Sequence, residues 1–384
     1  MASTSPVVKR KTNDEPTSAP RKKQHIVREQ EEELALLQSL DFSALNSTSA
    51  ISERFDHLGR SLIHDFHLVV KSSNEETVFE ILELEFYLRK DGCHEDPFTH
   101  GSEEQKVCGK WDDRYFHRAP RPSTDSTRSL TSLTAYRGGS RKGLDITIGD
   151  PPPTTLSPYF NQAMAPNQGS TRGGALLRSL RRVPDNKVVS GPSLLVDEIL
   201  RLSKAADILE LVEQKWAGDT SVFGSRPTSL FLRAKAPSSQ PKPAVYRSPR
   251  IGLDLSHPGT TASSSHPRVV FLTRPYRYIS CPECLTSKGR PQTFLGVLQS
   301  CLDTTCAGHD LASKHVLNEL MRITGLGEKT ASRYLEYYKN GLKSGKLKNF
   351  VGPQGKGASS SPAIYLQMMG TLAQYQVKTQ QQTL

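Results

Sequence analysis

Glu83 and Glu85 are the residues of this chain whose types and spacing most plainly allow chemistry. They lie in the run Val78-Phe79-Glu80-Ile81-Leu82-Glu83-Leu84-Glu85-Phe86-Tyr87-Leu88, which is apolar enough to read as a strand. A spacing of two puts both carboxylates on one strand face. An acid in an apolar strand is costly to bury unless it is paired or used. Used, it would be an acid or a base. The other reading of this run alone is an edge strand with both glutamates solvated. Tyr87 follows, and Asp96-Pro97-Phe98-Thr99-His100-Gly101 adds a carboxylate and an imidazole in a turn.

The elements that must hold these groups mix helix and strand. Phe55, Leu58, Leu62 and Ile63 recur at helical spacing, and Phe66 to Val70 begins a strand-like run. Leu194 to Leu202 and Ala205 to Trp216 carry helical periodicity, whereas Val269-Val270-Phe271-Leu272 reads as a short closing strand. Residues 119–134 and 150–172 are rich in Pro, Ser, Thr and Gly and read as loops or insertions. Trp111 reads as a core aromatic. The strands and helices show no βαβ regularity, so the expected class is α+β.

The chain has 384 residues, 35% of them hydrophobic, with 25 Pro and 27 Gly. That suits two modest domains with flexible insertions. The formal charge is +11. Excess Lys and Arg favours a polyanionic partner, because each neutralised phosphate releases condensed counterions. On charge alone the expected partner is a nucleic acid, which the C-terminal motifs and the resemblance described below narrow to double-stranded DNA. Residues 1–48 read as a disordered basic arm. Its clusters Lys9-Arg10-Lys11 and Arg21-Lys22-Lys23 suit a bipartite signal for a nuclear import receptor, and hence a nuclear location. No apolar run approaches the ~20 residues that span a bilayer, so no membrane is expected. Six cysteines do not make a disulfide scaffold in a chain of this length.

Residues 281–350 read as a helical DNA-binding module, and 351–384 as a flexible tail. Phe294 to Leu298 and Val316 to Met321 give two apolar helices, Gly325-Leu326-Gly327 a tight turn, and Ala331 to Tyr338 a third helix. Two patterns fit. In the favoured helix-turn-helix, Lys329, Thr330 and Arg333 face a major groove. In a helix-hairpin-helix, the glycine turn offers backbone amides to phosphate. Asp310 to Phe350 holds eight Lys/Arg against four Asp/Glu. Cys281, Cys284, Cys301 and Cys306 follow C-x2-C-x16-C-x4-C, a spacing that tetrahedral zinc accepts, with unlinked thiols as the alternative.

In the region 49–280 the motifs resemble the alkyladenine (3-methyladenine) DNA glycosylase family. Glu83 to Leu88 is similar to its Glu-Thr-Glu-Ala-Tyr-Leu strand, and Asp96 to Gly101 to its Asp-Pro-Ala-Ala-His-Ser turn. Ala175 to Leu180, Ser190 to Ser193, Arg250 to Leu253 and Pro275 to Ser280 resemble later family segments in the same order. The resemblance implies a mixed antiparallel β domain with surrounding helices, and excision of alkylated or deaminated purines after base flipping. It implies that Glu85 activates a water, that Tyr87 and His100 sandwich the flipped base, and that Arg178 lies beside them. No cofactor is required. Two departures stand out. Tyr136, Arg137, Gly138, Arg141 and Lys142 occupy the stretch where the family carries an aromatic wedge, so Tyr136, Arg137, Arg141 and Lys142 become the expected DNA contacts. Asp145 stands where the family has asparagine. The competing expectation is a non-catalytic nuclear DNA-binding protein that keeps the fold.

Overall fold

A computed structural model describes residues 19–99, 104–112, 142–151, 171–224, 227–285 and 288–382. The class is α+β, built on one curled antiparallel sheet. Its principal path runs β4 (Leu144–Ile148), β5 (Thr171–Arg182), β2 (Glu75–Lys90), β1 (Phe66–Ser72) and β7 (Thr228–Ala234). Strand β2 is the axis. One edge pairs with β5 along nearly its whole length. Its other edge takes three partners in turn: β1, then β9 (Arg277–Ser280), then β3 (His94–Glu95). The β2–β5 register shifts on both sides of Glu83, where β9 joins. Strands β6 (Val188–Ser190) and β8 (Val245–Ser248) extend β5 and β9.

Both faces of β2 are covered, which is why its centre reads as an almost unbroken apolar run. On one face Leu84, Phe86 and Leu88 meet α2 (Thr48–His64), whose Phe55 stacks on Phe86 at 4.6 Å between ring centroids. Helix α2 begins where Ser47 Oγ accepts from the Ala50 amide at 3.1 Å. Helix α3 (Pro192–Leu202) packs Leu195, Val196 and Ile199 into the same core. Trp111 is buried there, and its indole donates to the Leu230 carbonyl at 2.8 Å.

A second core belongs to α5 (Arg290–Asp303), α6 (Lys314–Thr324), α7 (Glu328–Ser344) and α8 (Pro362–Gln382). It is joined to the sheet. A Cβ on Gly296 of α5 would come within 2.4 Å of the Arg247 carbonyl in β8, so the helix rides directly on the strand.

Three expectations are corrected. The stretch read as a disordered arm contains α1 (Ala19–Ser39), followed by buried Leu40 and Phe42, because Leu36 and Leu40 find apolar neighbours in the first core. The tail read as flexible contains α8, held by buried Tyr365, Leu366, Met368 and Leu372. Val269–Leu272 is not a strand but part of α4 (Pro267–Leu272): Pro267 sits in the first turn, and His266 Nδ1 accepts from the Arg268 amide at 3.1 Å. Between Ala205 and Trp216 the expected helix forms over 208–215, with Glu210–Lys215 wound as a π-helix. Among the described residues no helix is long and apolar enough to cross a membrane.

Candidate active site

Strand alternation puts Glu83, Glu85 and Tyr87 on the face of β2 opposite the α2 packing, and β5 and β9 supply Arg178 and Arg277 beside them. The solvated-edge reading is excluded, because Glu83 is 1% exposed and Glu85 is 0% exposed. Glu83 Oε1 accepts from Arg277 Nε at 2.6 Å and from Arg178 Nε at 3.1 Å, and Oε2 accepts from Ser179 Oγ at 2.5 Å. Burial alone would raise the Glu83 carboxyl, but the Arg277 and Arg178 guanidiniums and the Ser179 hydroxyl outweigh it and hold the group below its ordinary range.

Glu85 is tied differently. Its Oε2 accepts from Tyr87 Oη at 2.9 Å and Arg178 Nη1 at 3.2 Å, and its Oε1 accepts from the Ile251 amide at 2.7 Å. Burial and the neighbouring Glu85 charge push the Tyr87 hydroxyl well up, so it stays protonated and donates. Arg250 lies 4.5 Å over the Tyr87 ring and grips Asp96 by two bonds, Nη1 to Oδ2 at 2.6 Å and Nη2 to Oδ1 at 3.1 Å. The turn bearing Asp96 is thereby locked against β2. Arg277 continues outward, donating to Ser248 Oγ and to Thr293 Oγ1 of α5, each at 2.9 Å. The Tyr365 hydroxyl of α8 is buried in the fields of Arg277 and Glu85.

Along the other direction of the sheet, Asp145 on β4 stands opposite Leu176, which stands opposite Glu85. Asp145 is 5% exposed, and its Oδ1 has no hydrogen-bond partner among the described residues. Asp112, also buried, is held by Gln105 Nε2 at 3.2 Å, and its amide donates to the Asp145 carbonyl at 3.0 Å.

Glu85, Tyr87 and Arg178 are thus brought together. His100, Tyr136, Arg137 and Arg141 lie outside the described residues. Lys142 is paired with Asp197 of α3. Lys329, Thr330 and Arg333 fall on the first turns of α7, where Lys329 and Arg333 are exposed and Thr330 half-buried. The turn before them is the three residues Gly325 to Gly327, with Gly325 at φ 67°. The four thiols separate into two pairs: Cys281 and Cys284 lie against the small cluster of Leu82, Ile279 and Leu285, whereas Cys301 and Cys306 are buried within the helical core. Among the described residues no group of three or more His, Cys, Asp or Glu side chains is placed to hold a metal ion. The sequence reading missed Arg250, Arg277 and Ser179. Arg250 and Arg277 each open or join a motif, but nothing local marks either as a partner for an acid.

No family profile matches the chain. It is 27% identical over 220 residues to an uncharacterized protein, L759, of Acanthamoeba polyphaga mimivirus, a match spanning 57% of this chain and 85% of the viral protein.

Proposed function

We propose that this protein is a DNA N-glycosylase that hydrolyses the glycosidic bond of alkylated or deaminated purines. The observation that carries the reading is the fully buried seat of Glu85, whose Oε2 accepts from both Tyr87 Oη at 2.9 Å and Arg178 Nη1 at 3.2 Å. A purine in a duplex is out of reach, so it would first be flipped at a cost of a few kcal/mol. Glu85 would take a proton from the attacking water and offset positive charge at the sugar carbon. Tyr87 would offer a stacking face, with His100 opposite, worth ~1–3 kcal/mol per base. The exposed Lys329 and Arg333 would hold duplex DNA through phosphate, with Tyr136, Arg137 and Arg141 as further contacts. The basic clusters near the N-terminus would serve nuclear import.

Purified protein in excess over duplex oligonucleotides carrying hypoxanthine or 3-methyladenine tests this. Base release that falls about 10²–10⁴-fold in Glu85→Gln is expected, with duplex affinity retained. Intact oligonucleotides with both proteins would refute the enzyme.

One observation favours the second reading, a non-catalytic DNA-binding protein. Every oxygen of Glu83 and Glu85 already has a partner within the chain, as in a purely structural charge network. It expects salt-dependent duplex binding that Glu85→Gln leaves alone and that Lys329→Ala with Arg333→Ala weakens.

A further inference from the structure

Directly after β9 stand two thiols that the acid face does not use. Cys281 takes a left-handed backbone, φ 49° and ψ 59°, and a 3₁₀ turn, Pro282–Cys284, follows it. An L side chain rarely adopts that conformation, which persists only where the surroundings hold it. The Cys284 amide donates to the Cys281 carbonyl at 3.0 Å. A turn closed in this way keeps its end Cα atoms within about 7 Å, and in 3₁₀ winding the side chains of residues i and i+3 lie one above the other. A disulfide accepts Cα atoms about 4.4–6.8 Å apart, so the backbone already suits one. Both thiols are half-buried against Leu82, Ile279 and Leu285. Their neighbours divide the roles. Arg181 of β5 points Nη1 at Cys281 Sγ, 3.9 Å away, while its Nε holds Glu80 at 2.7 Å. A guanidinium there favours the thiolate, the form that attacks. Cys284 Sγ instead donates to Glu283 Oε1 at 3.8 Å, and burial first, then the Glu283 charge, push its thiol up. Cys301 and Cys306 lie buried in the helical core, and burial pushes the Cys301 thiol up to about 11.

We propose that Cys281 and Cys284 are a redox site that reacts with a low-molecular-weight disulfide and closes into an intramolecular disulfide, stiffening the turn ahead of α7. In the first step the Cys281 sulfur attacks one sulfur of the small disulfide. That S–S bond breaks, and its electron pair leaves with the first small thiol, which takes up the Cys281 proton. The Cys284 sulfur then attacks the Cys281 sulfur of the mixed disulfide, and the second small thiol leaves with the Cys284 proton. Two protein thiols are oxidised to one disulfide, and one small disulfide is reduced to two thiols. Glu283, between the two cysteines, carries the effect onward. A Cβ on Gly325 would come 3.3 Å from Glu283 Cβ, and Pro282, Glu283 and Gly325 to Gly327 line one cleft of about 120 Å³. Closure removes freedom from the backbone that bears Glu283, so the glycine wall of the cleft is held more firmly.

The test treats the reduced full chain with oxidised glutathione, quenches by alkylation at intervals and maps the peptides by mass. The peptide bearing Cys281 and Cys284 is expected to lose two hydrogens, while Cys301 and Cys306 react at least about tenfold more slowly. Cys284→Ser should stop at a glutathione mixed disulfide on Cys281. Cys281→Ser should form its adduct on Cys284 at least about tenfold more slowly than that. Thermal unfolding checks that both variants fold, and the wild-type peptide map stands without them. Hydrogen exchange at the Gly325, Leu326 and Gly327 amides should slow several-fold on closure and recover with dithiothreitol. A preferred Cys301–Cys306 disulfide, or a wild-type mixed disulfide that Cys284 never displaces, would overturn the site. Closure with unchanged exchange would overturn the stiffening. Base release enters none of these readouts, so the glycosylase reading stands or falls separately.

Discussion

Arg277 and Glu83 meet at 2.6 Å with each side chain 1% exposed, and Arg277 then reaches Thr293 in the helical module. One guanidinium therefore joins an acid of the sheet to α5, next to the helix α8 that carries Tyr365. The C-terminal helices are part of the site's wall.

Removal of one partner from this pair strands the other. Two buried guanidiniums face two buried carboxylates, so Arg277→Ala leaves Glu83 under-compensated and Thr293 and Ser248 without their donor. A loss of about 3–5 kcal/mol is expected, read as a lower urea midpoint at neutral pH. Arg322→Ala is the control: Arg322 is exposed where it pairs with the half-buried Glu319 one turn away, and the midpoint should barely move. Similar midpoints for the two variants would mean that the Arg277 pair is not the strut described.

The two acids of the face should pull stability in opposite directions with pH. Glu83 is held below its ordinary range, so its contribution is present above the unfolded value of about 4.3 and is lost as pH falls through the folded value. Asp145 is held above its range, so the native state is penalised progressively as pH climbs from about 3.9 towards the folded value. Asp145→Asn removes the second effect alone. Its stability relative to wild type should therefore rise between acid and neutral pH. Urea midpoints measured at a series of pH values decide it, and a difference that stays constant with pH would contradict a proton held on Asp145.

The acid face was legible in the sequence because strand alternation needs only local spacing: Glu83, Glu85 and Tyr87 share a face as their positions require. Their partners were not, because Arg277 lies 194 residues beyond Glu83, and Arg250 lies 154 beyond Asp96. No local pattern encodes such a pairing. The helix at Val269–Leu272 failed differently. Two adjacent β-branched residues argued for a strand, and Pro267 with the His266 cap overrode them. Helix α8 was hidden because it follows the Gly- and Ser-rich residues 352–361 and ends in a run of Gln, a composition that resembles a mobile tail. Its Gly370 and Thr371 are in fact the means of docking, and that use is visible only once α7 stands beside it.

That docking gives the last prediction. Helices α7 and α8 approach through residues without bulk: a Cβ on Gly370 would lie 2.1 Å from the Tyr338 carbonyl, and one on Gly341 2.1 Å from the Gln367 carbonyl. Backbone atoms cannot yield as a flexible side chain can, so even one methyl group must push the helices apart. Gly370→Ala would ordinarily favour a helix by about 1 kcal/mol. Here it should instead destabilise by about 1–3 kcal/mol, partly exposing Leu366, Met369 and Leu372 and loosening Tyr365 beside Arg277 and Glu85. Gly308→Ala is the comparison, since open space surrounds that position and only its left-handed backbone (φ 77°) resists a side chain, at about 1–2 kcal/mol. Limited proteolysis separates the two: cleavage within α8 should quicken in Gly370→Ala and stay at the wild-type rate in Gly308→Ala. An α8 equally resistant in both would show that the glycine contact does not hold this helix down.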